Sequence, residues 1–153
     1  MTNIKRTTPE DPDFCNLIAL LDQDLWKRYP STQQNYVAHN VMKLDAKVVI
    51  AYQGGQPAGC GCFREAGAPG TVEIKRMFVV EQARGKGIAS AILTALEQWA
   101  AETGYTAAIL ETGAGQPEAI ALYTKLGYRR IANYEPYCNS AESVCMSKVL
   151  EGG

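Results

Sequence analysis

The sequence predicts an α/β fold, a single mixed, mostly antiparallel, twisted sheet of about seven strands with helices on both faces. Residues 47–80 hold three strand-like runs separated by the turn segments Gln53-Gly54-Gly55-Gln56 and Gly67-Ala68-Pro69-Gly70, which is the pattern of an antiparallel meander. Residues 71–111 then read strand, amphipathic helix, strand, which predicts a parallel and right-handed crossover. Short strand and helix patterns on either side extend one sheet and cover it, with no repeat or linker to divide the chain.

Taken in order, Ile4 to Thr7 predicts a short first strand, and Pro9 with Glu10-Asp11-Pro12-Asp13 a turn. Phe14, Leu17, Ile18, Leu21 and Leu25 recur at helical spacing until Pro30 stops them. Ser31-Thr32-Gln33-Gln34 has the form of a capping box, with Val37, Val41 and Leu44 as the stripe of a second helix. Lys47 to Tyr52 is β-branched and apolar, and the following strand, 58–65, is interrupted by glycine, with Pro57 tolerable only at its start. Thr71 to Val80 is the longest strand pattern. Ile88, Ile92, Leu96 and Trp99 then mark one helix face, ended by Gly104, before a strand at Thr106 to Glu111. Pro117 opens a short helix carrying Ile120, Tyr123 and Leu126, closed by Gly127, and Tyr128–Asn133 and Ser143–Val149 complete the strands.

A chain of 153 residues with a 46% apolar share fits one domain, 1–153, with a real core. Fifteen basic against sixteen acidic residues give a net charge of −1, which argues against nucleic acid as a main partner. The five cysteines form no C-x-x-C pair and His39 is the one histidine, so no metal site is expected and the thiols fit a reducing compartment. No window approaches a membrane span and the first residues lack the apolar run of a secretion signal, so the expectation is a soluble, cytoplasmic protein without a membrane partner.

The most informative stretch is Arg84-Gly85-Lys86-Gly87-Ile88-Ala89, two glycines flanked by cations directly before a helix. A helix start leaves amides unpaired and carries about half a positive unit charge, so it suits a phosphate, and glycine lets the backbone approach closely. An ordinary turn is the plainer reading of the same residues. The site lies at the carboxyl end of a strand, where open α/β sheets bind ligands.

Gln82-Ala83-Arg84-Gly85-Lys86-Gly87 matches the Q/R-x-x-G-x-G/A signature of the GNAT superfamily of acetyl-CoA-dependent N-acyltransferases, which the element order also resembles. A second segment, Ala119 to Tyr128, resembles that family's A-x-x-L-Y-x-K-x-G-F run, with Tyr128 in place of Phe. The resemblance implies that the amides from Arg84 through Gly85, Lys86, Gly87 and Ile88 to Ala89 hold the coenzyme A diphosphate. It implies that Met77, Phe78 and Val79 pair with the pantetheine arm, an amide at Met77 or Phe78 polarising the acetyl carbonyl. It places Tyr123 beside the thioester sulfur, with Gln82 in the signature and Gln116 where the family often has a cofactor-contacting Asn.

The implied activity is transfer of an acetyl group from acetyl-CoA to a primary amine by direct attack in a ternary complex. An amine of pKa about 10.4 must lose a proton first. Glu73, on the same strand as Met77, is a candidate base, and a solvated or lysine-paired glutamate is the plainer reading. Tyr123 is the candidate donor to the departing thiolate, against a plain packing role. Of Lys75 and Arg76, strand alternation allows at most one to face the site. Asp22, Asp24, Trp26, Tyr29, Tyr134 and Tyr137 would border an acceptor groove. Small-molecule amines and protein amino groups both qualify as acceptors, and the oligomeric state, a homodimer included, is left open. The alternative is a coenzyme A-binding regulatory or interaction module without turnover. A dinucleotide-binding oxidoreductase is disfavoured because Ser90 stands where its glycine motif needs Gly or Ala.

Overall fold

The structure, a computed structural model, describes residues 2–28 and 46–150, and all of their side chains except those of 24–28. The helix expected over 31–44, and with it His39, lies outside the described residues, as do Tyr29 and the side chains of Asp24 and Trp26.

Seven strands form one open sheet in the order β1-β2-β3-β4-β5-β7-β6. They are β1 (Thr2–Thr7), β2 (Lys47–Gln53), β3 (Gln56–Glu65), β4 (Thr71–Val79), β5 (Ala107–Gly113), β6 (Arg129–Ile131) and β7 (Ser143–Val149). All neighbours are antiparallel except β4 and β5, which are parallel across the crossover. Three described helices cover the two faces: α1 (Pro12–Arg28), α2 (Ile88–Glu102) and α3 (Pro117–Lys125). Gly54 and Gly55, at φ 60° and 80°, close the β2–β3 hairpin with the left-handed pair that a two-residue turn requires. The apolar stripe read from the sequence lies on the inner face of α2, with Ile88, Ile92 and Leu96 buried and Trp99 half-buried, and β2 beneath is fully buried from Val48 to Ala51.

Two features position the site. The first is a bulge in β4. Cys60 pairs with Phe78 and Cys62 with Lys75, so Arg76 and Met77 stand opposite the single residue Gly61. Arg76 takes φ 59°, the one positive φ outside glycine among the described residues, at a cost of about 1–3 kcal/mol. Its Nη1 pairs with Asp22 Oδ1 of α1 at 2.9 Å, which holds the strained residue. Glycine in β3 makes the bulge packable: a β-carbon at Gly59 would lie 2.7 Å from the Phe78 carbonyl oxygen, and one at Gly61 2.5 Å from Met77 Sδ. The interrupted pattern of this strand therefore marks a close backbone approach.

The second feature is a split. β4 and β5 pair only from Thr71↔Ala107 to Ile74↔Leu110, although both strands continue, so the sheet opens at their carboxyl ends. The sixth strand is shorter than the expected Tyr128–Asn133 because Asn133 donates its side-chain amide to the carbonyls of Tyr137, Ser140 and Ser143, turning the chain into a loop instead of continuing the ladder.

Candidate active site

Two connected clefts meet at the split. The larger, about 350 Å³, runs from the glycine loop along the end of β4 and is lined by Met77, Phe78, Val79, Arg84, Gly85, Gly87, Ile88, Ala89 and Leu122 among others. The smaller, about 90 Å³, enters the gap between the strands, with Ile74, Lys75, Arg76 and Met77 on one side and Leu110, Glu111, Thr112 and Gly113 on the other. Leu21, Met77, Gln116, Ala119 and Tyr123 line both.

In the loop, Gly85 and Gly87 take φ 78° and 80°, and a β-carbon at either would meet no protein atom within 4 Å. Left-handed backbone beside open space is what a cradle for an anion needs. Gly87 caps α2 with no side-chain hydrogen bond, leaving the first-turn amides without a side-chain acceptor. Arg84 folds back, its Nε donating to the Val79 carbonyl at 2.9 Å with the guanidinium 5.8 Å from the Phe78 ring, so it ties the loop to the end of β4. Gln82 and Lys86 are exposed and do not line either cleft.

Tyr123 sits on α3 with 6% of its surface exposed, its ring edge-on to Tyr128 at 5.9 Å. Burial, and then the charge of Glu111, push its hydroxyl well above the usual phenol range, so it keeps its proton. No hydrogen bond ties that hydroxyl among the described residues, whereas Tyr128, filling the core beside it, donates to Glu97 at 2.9 Å. Gln116 Oε1 accepts from the Thr112 hydroxyl at 2.9 Å and the Gly113 amide at 3.3 Å, fixing the start of α3 against the end of β5.

Glu73 is buried and fully engaged. Its Oε1 accepts from Arg64 Nη2 at 3.0 Å and Nε at 3.3 Å, its Oε2 accepts from the Tyr134 hydroxyl at 2.9 Å, and Lys75 Nζ lies 3.9 Å away. It lines neither cleft. Lys75 in turn donates to the Tyr137 hydroxyl at 3.2 Å, so Glu73 and Lys75 fasten the Tyr134–Tyr137 loop to β4. The two tyrosines therefore meet the site's polar residues without lining the clefts. Lys75 and Arg76 do line the same cleft, against the expectation that alternation separates them, because the bulge interrupts the two-residue period between them.

One residue that the sequence pattern left as the last position of a strand belongs here. Glu111 lines the smaller cleft, its Oε2 buried without a hydrogen-bond partner among the described residues, and burial raises its carboxyl to about 6. No group of His, Cys, Asp and Glu able to hold a metal occurs among the described residues, and no described helix is long and apolar enough to cross a membrane.

The pattern of the acetyltransferase (GNAT) family matches residues 12–128. An IAA acetyltransferase from Azospirillum brasilense is 34% identical over 96% of this chain and 97% of its own length. N-acetylaspartate synthetase from Danio rerio is 36% identical over 58% of this chain, which spans only 31% of that protein. Among solved structures, a candidate acyl-CoA N-acyltransferase from Klebsiella pneumoniae superposes with TM-score 0.82 at 32% identity, covering 99% of both chains. The PaiA N-acetyltransferase of Thermoplasma acidophilum, solved with coenzyme A, shares the fold at TM-score 0.73 and 15% identity, over 97% of this chain and 99% of its own. The family pattern and a full-length relative agree with the split sheet and its glycine loop: this chain belongs to the acetyltransferase (GNAT) family and is an acyltransferase.

Proposed function

We propose that the protein transfers the acetyl group of acetyl-CoA to a primary amine, on a small molecule or a protein, by direct attack in a ternary complex. The observation that carries this reading is that Met77 and Tyr123 line both clefts, so a donor lying along the glycine loop and an acceptor entering between β4 and β5 meet there. The uncapped α2 terminus and the two left-handed glycines fit a diphosphate, and the apolar wall of Met77, Phe78, Val79 and Leu122 fits an extended arm. Acetyl-CoA supplies an activated thioester carbonyl.

The residues of the chain do the rest. Among the described residues no strand pairs with β4 on its β5 side beyond Ile74, and the bulge at Arg76 re-aims Met77 and Phe78, where a backbone amide can polarise a carbonyl. Tyr123 keeps its proton, so it acts as a hydrogen-bond donor to sulfur as negative charge builds there; full transfer to a thiolate of pKa about 8.5 is uphill from so weak an acid. Direct attack is favoured over a cysteine acyl-enzyme because no cysteine lines either cleft and burial pushes Cys62 up to about 12. The five free cysteines support action in the reducing cytoplasm.

The test is release of coenzyme A thiol from acetyl-CoA in the presence of a panel of amino acids, polyamines, small aromatic amines and lysine peptides. Amine-dependent release, matched by acetylated amine in equal amount, is the expected result. Tight acetyl-CoA binding without release across the panel would make the chain a coenzyme A-binding module instead.

A further inference from the structure

Glu111 is the first residue of β5 beyond the last paired position, Ile74↔Leu110, so it lies at the mouth of the gap where the smaller cleft begins. Glu73, one residue before that limit, still lies in the paired ladder, opposite Arg64 on β3 and Ile109 on β5. The two carboxylates differ accordingly. Both oxygens of Glu73 accept hydrogen bonds, and a proton arriving there would displace Arg64 or Tyr134. Glu111 has an oxygen that accepts none among the described residues, in a cleft that it shares with Tyr123.

We propose that Glu111 is the group that takes the proton from the acceptor amine, and that Glu73 is a positioning residue that docks the Tyr134–Tyr137 loop. This rests on the amine-acetylation reading above. An ammonium group donates one proton to the Glu111 carboxylate, and the lone pair thereby freed forms the N–C bond to the acetyl carbon. The C–S bond breaks with its electron pair on sulfur, hydrogen-bonded by Tyr123, and the second proton leaves the nitrogen for solvent, from which the thiolate takes up one proton. Product thiol and amide are neutral, and the Glu111 proton exchanges with solvent before the next turnover.

The charge setting suits the role. Glu111 is faced by Lys75 and Glu73 of β4, Tyr123 of α3, Ser143 and Cys145 of β7, and Tyr137 of the loop, while Asp22 of α1 is occupied by Arg76. Burial dominates and raises its carboxyl, and Ser143 and Lys75 oppose that in part. A base poised near 6 is ionised at neutral pH and still basic enough to work.

The experiment measures kcat/KM against pH for the wild type, Glu111→Gln, Glu111→Asp and Glu73→Gln, with acetyl-CoA and spermidine, lysine or benzylamine as probe acceptors. Calorimetric acetyl-CoA affinity serves as the folding control. Wild type should rise through a limb near pH 6 to a plateau. Glu111→Gln should lose on the order of 10²-fold or more at pH 7, and its rate should climb about tenfold per pH unit toward the amine pKa, because only neutral amine then reacts. Glu111→Asp should keep a limb at reduced rate, and Glu73→Gln should lower the plateau with the limb in place. Profiles of wild type and Glu111→Gln that run parallel, or a limb lost in Glu73→Gln instead, would overturn the assignment alone. Wild type that binds acetyl-CoA and releases no thiol with any probe would overturn the acetylation reading and this proposal with it.

Discussion

The two halves of β4 do different work. From Thr71 to Ile74 the strand is paired on both sides, to β3 and to β5, and its residues are buried. From Lys75 to Val79 it is paired, among the described residues, only to β3, through a bulge, and its other side faces the clefts. A ladder satisfied on both sides has no backbone group to offer a ligand, whereas a strand that loses one neighbour exposes a row of them. The first half therefore contributes stability and the second, on the proposed reading, the chemistry, within nine residues.

Substitutions can break that division. Tyr123 faces the open half, and Tyr123→Phe removes one hydroxyl while keeping the ring against Tyr128. The expected loss is on the order of 10²-fold in kcat with little change in acetyl-CoA affinity, since the hydroxyl matters when charge reaches sulfur. Steady-state kinetics under conditions where chemistry limits turnover check this, and an unchanged kcat would return Tyr123 to a packing role.

Gly59→Ala addresses the backbone of the open half without touching the cleft. Its β-carbon would lie 2.7 Å from the Phe78 carbonyl oxygen, which is backbone and has no rotamer in which to retreat, so the end of β4 must shift. A displacement of a few tenths of an ångström at the amides proposed to polarise the carbonyl should lower kcat about tenfold. A companion crystal structure should show the end of β4 moved with Thr71–Ile74 in place.

Gly87→Val follows. Glycine there takes φ 80°, and a β-branched side chain is strained in that region by about 1–3 kcal/mol, so the loop should relax away from its cradle conformation. Acetyl-CoA affinity by calorimetry should weaken about tenfold, and affinity for a fragment lacking the diphosphate should barely change. Equal losses for both would remove the loop from the diphosphate role.

Much of this was legible in the residues, and the rest was hidden for definite reasons. The glycine loop, the amphipathic α2 and Tyr123 on α3 are local patterns, and local patterns survive in one dimension. The bulge at Arg76 is not local. Its cause is the close approach of β4 to Gly59 and Gly61, so strict alternation placed Lys75 and Arg76 on opposite faces when both line one cleft. The glycines in β3 were the available signal, readable only by asking which neighbour they admit. Glu111 reads as an ordinary strand end until it is known that the ladder stops one residue earlier, at Leu110. Glu73 shows the reverse: its strand position fits a base, yet Arg64 and Tyr134, nine residues before it and sixty-one after it, occupy its oxygens.

The smallest expected effect on turnover belongs to the paired half, and it is the control that gives the others meaning. Val72 is fully buried between β3 and β5, opposite Glu65 and Ala108, and it lines neither cleft. Val72→Ala removes two methyl groups from a packed core and leaves every cleft residue and every ladder hydrogen bond in place. The cost should be about 2 kcal/mol of stability, a fall of about 4–8 °C in Tm for a chain of this size. Below that lowered Tm, kcat and acetyl-CoA affinity should stay within about twofold of wild type, because the carboxyl end of β4 is held by its own pairing to β3 and by Arg76 on Asp22. Thermal unfolding and steady-state kinetics on the same preparation decide it. A kcat that falls along with Tm would mean that the two halves are mechanically coupled, and that β4 does not divide into a stabilising and a reactive half.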